Sequence, residues 1–271
     1  MHKNFLRIIY ASSYAFQILL KTFGFWPIRF WTNFWFINTP FKKIKIDDYE
    51  FWVRGNNLLV KLADIYTVFE NVIEKEYFKN SLDFSEDATI IDVGAHIGTF
   101  TICAARKAKE GKVYAFEPLP RNYEVLERNI LLNNASNVLP YNLALAGSNQ
   151  ERILYIDDLN SGGHGFIRKS KEAVKVNCLT LTEVLIENKI SKCDFLKIDC
   201  EGAEYEILLN TPIEVLKKID QIALEYHSPE FLGLADKEII NKLLAHLKAA
   251  NYQTTIKRED HRRGYIYALR K

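Results

Sequence analysis

The sequence predicts an α/β domain built on a mostly parallel sheet, and three observations carry that prediction. From Asp87 onward, short apolar runs alternate with longer amphipathic stretches, the rhythm of strands that return through helices. One apolar run, 90–93, ends in a glycine turn, Asp92-Val93-Gly94-Ala95-His96-Ile97-Gly98, of the kind that brings a backbone up to a ligand. The chain has 271 residues, 48% of them hydrophobic. That is enough for one such domain with an additional segment, and it excludes a disordered chain.

Taken in order, 88–93 reads as the first strand and 98 to about 109 as the helix after it. Residues 112–117 form a second strand, and 121–133 a second helix ended by the Asn133-Asn134 pair. A third strand is expected over 138–145. A polar stretch with Ser161, Gly162, Gly163 and Gly165 leads to a strand near 173–176 and a helix over 181–188. Residues 195–199 read as a buried strand followed by a helix from Ala203, and 219–226 as another strand. A helix over 236–249 precedes 252–256 and 265–269, close enough to pair as an antiparallel hairpin. Upstream, 41–53 suggests two short strands and 64–78 a helix. The expected division is an extension over 1–46, a lead-in hairpin and helix over 47–86, and the main domain over 87–271.

The glycine turn is a D-x-G-x-x-x-G pattern and lacks the second glycine of the dinucleotide fingerprint. The second strand ends in Glu117, 23 residues after Gly94. An acid there can accept from both ribose hydroxyls of an adenosine and repels a 2′-phosphate. The plainer alternative is a glycine turn with a solvent-facing glutamate, with Asp92 ordering the loop. A second constellation reads F-L-K-I-D-C-E-G-A-E-Y-E over 195–206 and I-A-L-E-Y-H over 222–227. Lys197, Asp199 and Glu201 share one face while the strand stays regular, as do Glu225 and His227. Glu204 falls in the first turn of the next helix, where a carboxylate suits the dipole. His227 is open between a structural histidine and a catalytic base. An oxygen-rich set of Asp199, Glu201 and His227 suits Mg²⁺ in type, but nothing in the spacing demands it, and no metal is assigned.

These blocks carry a resemblance. IDVGAHIGTFT, YAFEPLPRNYEVLERNILLNN, LPYNLALAG, FLKIDCEGAEYEIL and IALEYH, in that order, resemble the FkbM family of S-adenosylmethionine-dependent methyltransferases. The resemblance implies a Rossmann-like class I methyltransferase, with a seven-stranded, mostly parallel sheet whose last strand is antiparallel. It implies that Asp92, Gly94, Ala95 and Gly98, with His96 among them, cradle the methionine portion of S-adenosylmethionine. Glu117 would hold the ribose, with Asn142 and Ala144 near the adenine edge and Asp199 and Glu201 near the methyl donor. The implied reaction is O-methylation, often of sugars, glycans or polyketides. An alcohol is a poor nucleophile while protonated, so a base helps. His227 or Asp199 is expected in that role, with Glu201 orienting the acceptor or the donor's amino group. His164 sits in a glycine-bearing loop that could close over the acceptor, or is an ordinary loop histidine.

The net charge of +2 is unevenly spread. Residues 1–46 hold seven basic residues and no acid, leaving 29 basic against 34 acidic beyond them, and 13 of the 35 aromatics. Lys3, Arg7, Tyr10, Tyr14, Gln17 and Lys21 share one helical stripe among apolar neighbours, and Trp26, Trp31 and Trp35 follow. The expectation is an anchor on anionic lipid at the inner membrane surface of a cytoplasmic protein. Packing on the domain or a homodimer is the alternative, and a spanning helix is disfavoured because no uncharged run within residues 1–46 exceeds 13 residues. Four cysteines without zinc spacing read as reduced thiols. The expected acceptor is a hydroxyl of a sugar, glycan or lipid-linked saccharide. RNA methylation is the enzymatic alternative, disfavoured by the acidic body, and a non-catalytic S-adenosylmethionine-binding module is the third reading.

Overall fold

The expected parallel sheet forms, and the hairpin over its last two strands lies along one edge. The computed structural model describes residues 39–55, 57–156, 163–167 and 169–271. The helical stripe and Trp-rich stretch expected within 1–38 lie outside the described residues, as do Ser161 and Gly162.

The lead-in comes first: β1 (Phe41–Ile46) and β2 (Tyr49–Arg54) pair as an antiparallel hairpin, and α1 (Leu58–Phe69) follows. The hairpin thus begins at Phe41, inside the stretch expected as extension. Its inward residues Ile44, Ile46, Phe51 and Val53 are buried in one cluster with Leu62, Ile65, Ile90 and Phe195. Burying each such side chain is worth about 1.5–3 kcal/mol, so the lead-in shares the core of the sheet. The helix expected over 64–78 starts earlier, because the side chain of Asn57 caps it by accepting from the backbone of Leu59 and Val60. It also ends earlier, in a π-helical turn (Glu70–Glu74) closed by Lys75 in the left-handed conformation, then a 3₁₀ turn (Glu76–Phe78).

The domain proper runs β3 (Thr89–Val93), α2 (Thr99–Lys107), β4 (Lys112–Phe116), α3 (Pro120–Leu132) and β5 (Val138–Tyr141). The third strand was expected to reach residue 145. It stops at Tyr141, where Asn142 turns back to donate to the carbonyls of Glu117 and Pro118. The remainder becomes β6 (Ala144–Leu145), beside β7 (Arg152–Tyr155), β8 (Ala173–Val176) and β9 (Cys178–Leu179). β6 pairs with β9 and β7 with β8, two small ladders at the edge of the crevice described below.

Then follow α4 (Leu181–Glu187), β10 (Phe195–Ile198), α5 (Glu204–Leu209), α6 (Ile213–Leu216) and β11 (Gln221–His227). Last come α7 (Pro229–Leu232), α8 (Ile239–Ala249), β12 (Tyr252–Arg258) and β13 (Arg263–Arg270). A capping box at Thr180 and Glu183 fixes the start of α4. The helix expected over 236–249 is therefore the shorter α8, with α7 before it.

The main sheet has the order β12-β13-β11-β10-β3-β4-β5. β13 is antiparallel to both neighbours and the other pairs are parallel. The two faces carry separate apolar clusters. One is shared with the lead-in, α2 and α3, the other with α4, α5 and α8. The chain leaves β3 towards β4 on one side and returns through β10 on the other. The ends of β3 and β10 are thus the switch point where such sheets bind ligands. The four cysteines are unpaired.

Candidate active site

Backbone geometry at the switch point follows from the glycines. Gly94 has φ +76°, and a Cβ there would fall 1.7 Å from the carbonyl oxygen of Asp199. The turns after β3 and β10 therefore touch backbone to backbone, and only glycine permits it. Gly98, at φ +86°, starts α2. His96 itself is at φ +53°.

A crevice of about 640 Å³, part of it open solvent, lies at these strand ends. Gly94, His96, Glu117, Ala144, Asp199 and Glu201, all expected site residues, line it, together with His164 and Phe166. Asp92, Ala95, Gly98, Asn142 and His227 are not on its wall. Asp92 is fully buried, accepting from Thr101 Oγ1 at 2.6 Å with the ammonium of Lys197 3.1 Å away. It orders the turn from beneath. Ala95 donates its N–H to the Phe116 carbonyl, Gly98 shapes the helix start, and Asn142 clasps the loop after β4.

Glu117 reaches back over the glycine turn. Its Oε2 accepts from the backbone N–H of His96 at 2.8 Å, and its Oε1 from Leu119 N at 2.9 Å and Asn122 Nδ2 at 3.3 Å. Burial nevertheless raises its pKa above the usual carboxylate value. Behind it stands a group that sequence reasoning missed. Arg54, at the end of β2, grips Asp64 through Nε at 3.0 Å and Nη2 at 2.5 Å, and donates to Asn122 Oδ1 at 2.5 Å. Its Nη2 also lies 2.8 Å from His96 Nε2. Burial, with Arg54 next, lowers the His96 pKa to about 4, so the ring is neutral.

On the other side of the crevice the carboxylates gather. β10 ends at Ile198, and Glu201 turns off it at φ +53°. The shared face expected for Lys197, Asp199 and Glu201 is lost there. Lys197 instead points into the seam between β10 and β3, donating to the Gly94 carbonyl at 2.7 Å. Asp199 Oδ2 accepts from Tyr77 Oη at 3.0 Å. Glu201 lies 3.1 Å from His227 Nε2, and burial pushes its carboxyl up to about 7.

His227, expected either as a base beside Asp199 or as a structural histidine, sits behind Glu201 with both ring nitrogens facing carboxylates. Nδ1 is 3.3 Å from Glu204 and Nε2 is 3.8 Å from Glu225 as well as close to Glu201. Burial disfavours its charge, yet Glu201, Glu204 and Glu225 outweigh burial and push it up to about 10. A ring already protonated cannot take a proton. Glu204 is fully buried and joins the Gly202 N–H, at 2.6 Å, to the His227 N–H, at 2.8 Å. It bolts two loops together. His164 is buried and not an ordinary surface histidine; Arg121 approaches its Nε2 at 3.3 Å. Gly165 bridges to the Tyr155 backbone, setting this segment over Glu201.

A parallel sheet with an antiparallel last strand and a ligand crevice at its switch point is the architecture of class I methyltransferases. The chain belongs to the methyltransferase FkbM domain family, which it matches over residues 92–263, and its methyl donor is S-adenosylmethionine. It is 27% identical over 199 residues to Methyltransferase 1 of Beauveria bassiana, covering 61% of this chain and 80% of that one. It is 26% identical over 176 residues to the hexuronic acid methyltransferase AglP of Haloferax volcanii, covering 65% and 69%. A solved methyltransferase FkbM from Methylobacillus flagellatus superposes with a TM-score of 0.49 at 16% identity. That alignment covers 79% of this chain and 55% of that one, so the chain spans about half its length.

The crevice fits the donor on its own evidence. Glu117 offers a carboxylate for hydroxyls, and Phe116, Leu145 and Leu154 offer apolar surface for a flat base. The buried His96 Nδ1 has no hydrogen-bond partner among the described residues. A buried polar atom left so is costly unless something else satisfies it.

Proposed function

We propose that the protein transfers a methyl group to a hydroxyl of a sugar, glycan or lipid-linked saccharide. One observation carries the reading. Glu201 stands on the crevice wall with a carboxyl poised at about 7 and a charged His227 fixed behind it. A general base works best when its pKa lies near the working pH, and Glu201 is so placed.

Bound S-adenosylmethionine supplies an activated methyl. The protein's part is alignment and proton removal. Glu117 and the turn around Gly94 hold the donor, and Asp199, fixed by Tyr77, faces the same space. Glu201 takes the acceptor's hydroxyl proton and becomes a carboxylic acid, and the His227 imidazolium holds it in place as a carboxylate until then. The saccharide class is supported by the likeness to a hexuronic acid methyltransferase. The basic, aromatic N-terminal segment supports docking on an anionic lipid surface. Among the described residues no helix is long and apolar enough to cross a membrane.

The test is tritiated-methyl transfer into fractionated lipid, glycan and RNA extracts, with Glu201→Gln as control. Label should enter a saccharide fraction, and Glu201→Gln should lower turnover about a hundredfold. Label entering RNA alone would sink the acceptor assignment. Undiminished turnover by Glu201→Gln would sink the base assignment.

A further inference from the structure

We infer that Arg54, contributed by the lead-in hairpin, is a positioning residue for the methyl donor. It fixes the proton of His96 on Nδ1, so that His96 binds one ribose hydroxyl and Glu117 binds the other. The inference rests on S-adenosylmethionine lying against Glu117, and it adds residues outside the family match at 92–263.

A carboxylate has about four acceptor positions. Glu117 spends two on Oε1, for Leu119 N and Asn122 Nδ2, and one on Oε2, for His96 N. One position remains, on Oε2, and it suits a single hydroxyl. A ribose presents two adjacent ones. The second needs another partner, and His96 is attached to the same carboxylate through its own backbone.

What His96 offers depends on Arg54. A guanidinium has only N–H groups and cannot accept. At 2.8 Å from Arg54 Nη2, the His96 Nε2 must therefore be the acceptor, which leaves the ring proton on Nδ1. Nδ1 is buried and has no partner among the described residues. Arg54 cannot swing away. Asp64, fully buried, grips it through both oxygens and also accepts from its backbone N–H at 2.9 Å. Asn122 ties the remaining arm, Nη1, to the Glu117 side. Both hydroxyl partners, His96 and Glu117, are thus held by one ion pair on the lead-in.

The experiment measures calorimetric binding of S-adenosylhomocysteine and of its 2′-deoxy and 3′-deoxy forms to the full chain. His96→Asn puts an amide N–H near the place of Nδ1, and asparagine tolerates a positive φ. It should bind within a few-fold of the unsubstituted chain. His96→Leu should lose about tenfold to a hundredfold. It should also become indifferent to removal of one particular hydroxyl, while still losing affinity when the other is removed. Nitrogen-15 shifts of labelled histidine should show the Nδ1–H form of His96. In the double variant Arg54→Met/Asp64→Leu, which removes the buried pair together, they should move toward a tautomer mixture, with affinity down about tenfold. Equal deoxy penalties in His96→Leu and the unsubstituted chain would overturn the proposal alone, as would an Nε2–H form in the unsubstituted chain. No binding of S-adenosylhomocysteine by the unsubstituted chain would overturn the cofactor assignment and the proposal with it.

Discussion

Tyr77 and Asp199 stand 122 positions apart in the chain, yet the phenol of one donates to the carboxylate of the other at 3.0 Å. The Tyr77 ring is buried edge-on against Phe100 and Tyr265. Burial, then the charge of Asp199, raises its hydroxyl well above the usual phenol value, so it remains a donor throughout the working range. The lead-in thereby reaches Asp199 on one side of the crevice as well as His96 on the other.

Tyr77→Phe keeps the ring contacts and deletes only this hydrogen bond. Stability should fall by about 0.5–1.5 kcal/mol in urea unfolding. Turnover should fall severalfold, because Asp199 loses its fixed orientation. Unchanged turnover would show that Asp199 needs no such orienting.

His227 gives a stability difference with a definite direction in pH. Its folded pKa, about 10, lies above the ordinary 6.5, so the folded chain keeps a proton that the unfolded chain releases between those values. The stabilisation is whole below pH 6.5 and is lost as pH rises through about 10. The gap in unfolding free energy between the unsubstituted chain and His227→Gln should therefore narrow from pH 6.5 to 10. Its slope should not exceed about 1.4 kcal/mol per pH unit. A constant gap across that range would contradict the imidazolium.

Gly94→Ala should be severe. Both the φ of +76° and the 1.7 Å approach of the added Cβ to the Asp199 carbonyl oppose it. Affinity for S-adenosylhomocysteine should drop at least about a hundredfold, with stability lowered by about 2 kcal/mol or more. Calorimetry and urea unfolding read the two effects separately.

For the lipid surface, the informative truncation removes residues 1–38 and spares the hairpin, since Phe41 already pairs with Arg54. The full chain should sediment with anionic liposomes at low salt and release at high salt, and the truncated chain should stay in solution. Full-length protein that remains in the supernatant with anionic liposomes would dispose of the docking proposal.

The parallel strands were legible because they are largely buried and read as mostly apolar runs, interrupted by Asp92 and Lys197 and ended by Gly94, Glu117 and Asp199. The same property hid the end of β5. The run over 138–145 stays largely apolar through the bend that Asn142 makes, and only the carbonyls of Glu117 and Pro118 reveal why it bends. Glu117 and Glu201 were legible from their place after strands. Arg54, Asp64 and Tyr77 were not, because Arg54 and Tyr77 reach residues distant in sequence, Asp64 acts through Arg54, and a lone charge in a short hairpin looks like a solvated one. His227 lies on the strand where it was expected, and of its two open roles the carboxylates around it favour the structural one. Sequence shows an imidazole near carboxylates, but not that three of them surround it.

The π-helical turn at Glu70–Glu74 places a limit on chain length. Lys75 N–H reaches back to the Glu70 carbonyl, one residue further than in an α-helix, so this turn accommodates an extra residue. Successive residues of an α-helix are set about 100° apart around the axis. Excising a single residue here would turn the chain's exit by about that much and carry Tyr77 off its bearing on Asp199. Exposed loops ordinarily absorb small insertions and deletions at little cost. In this buried turn, a gap of one residue would be felt where Tyr77 meets Asp199.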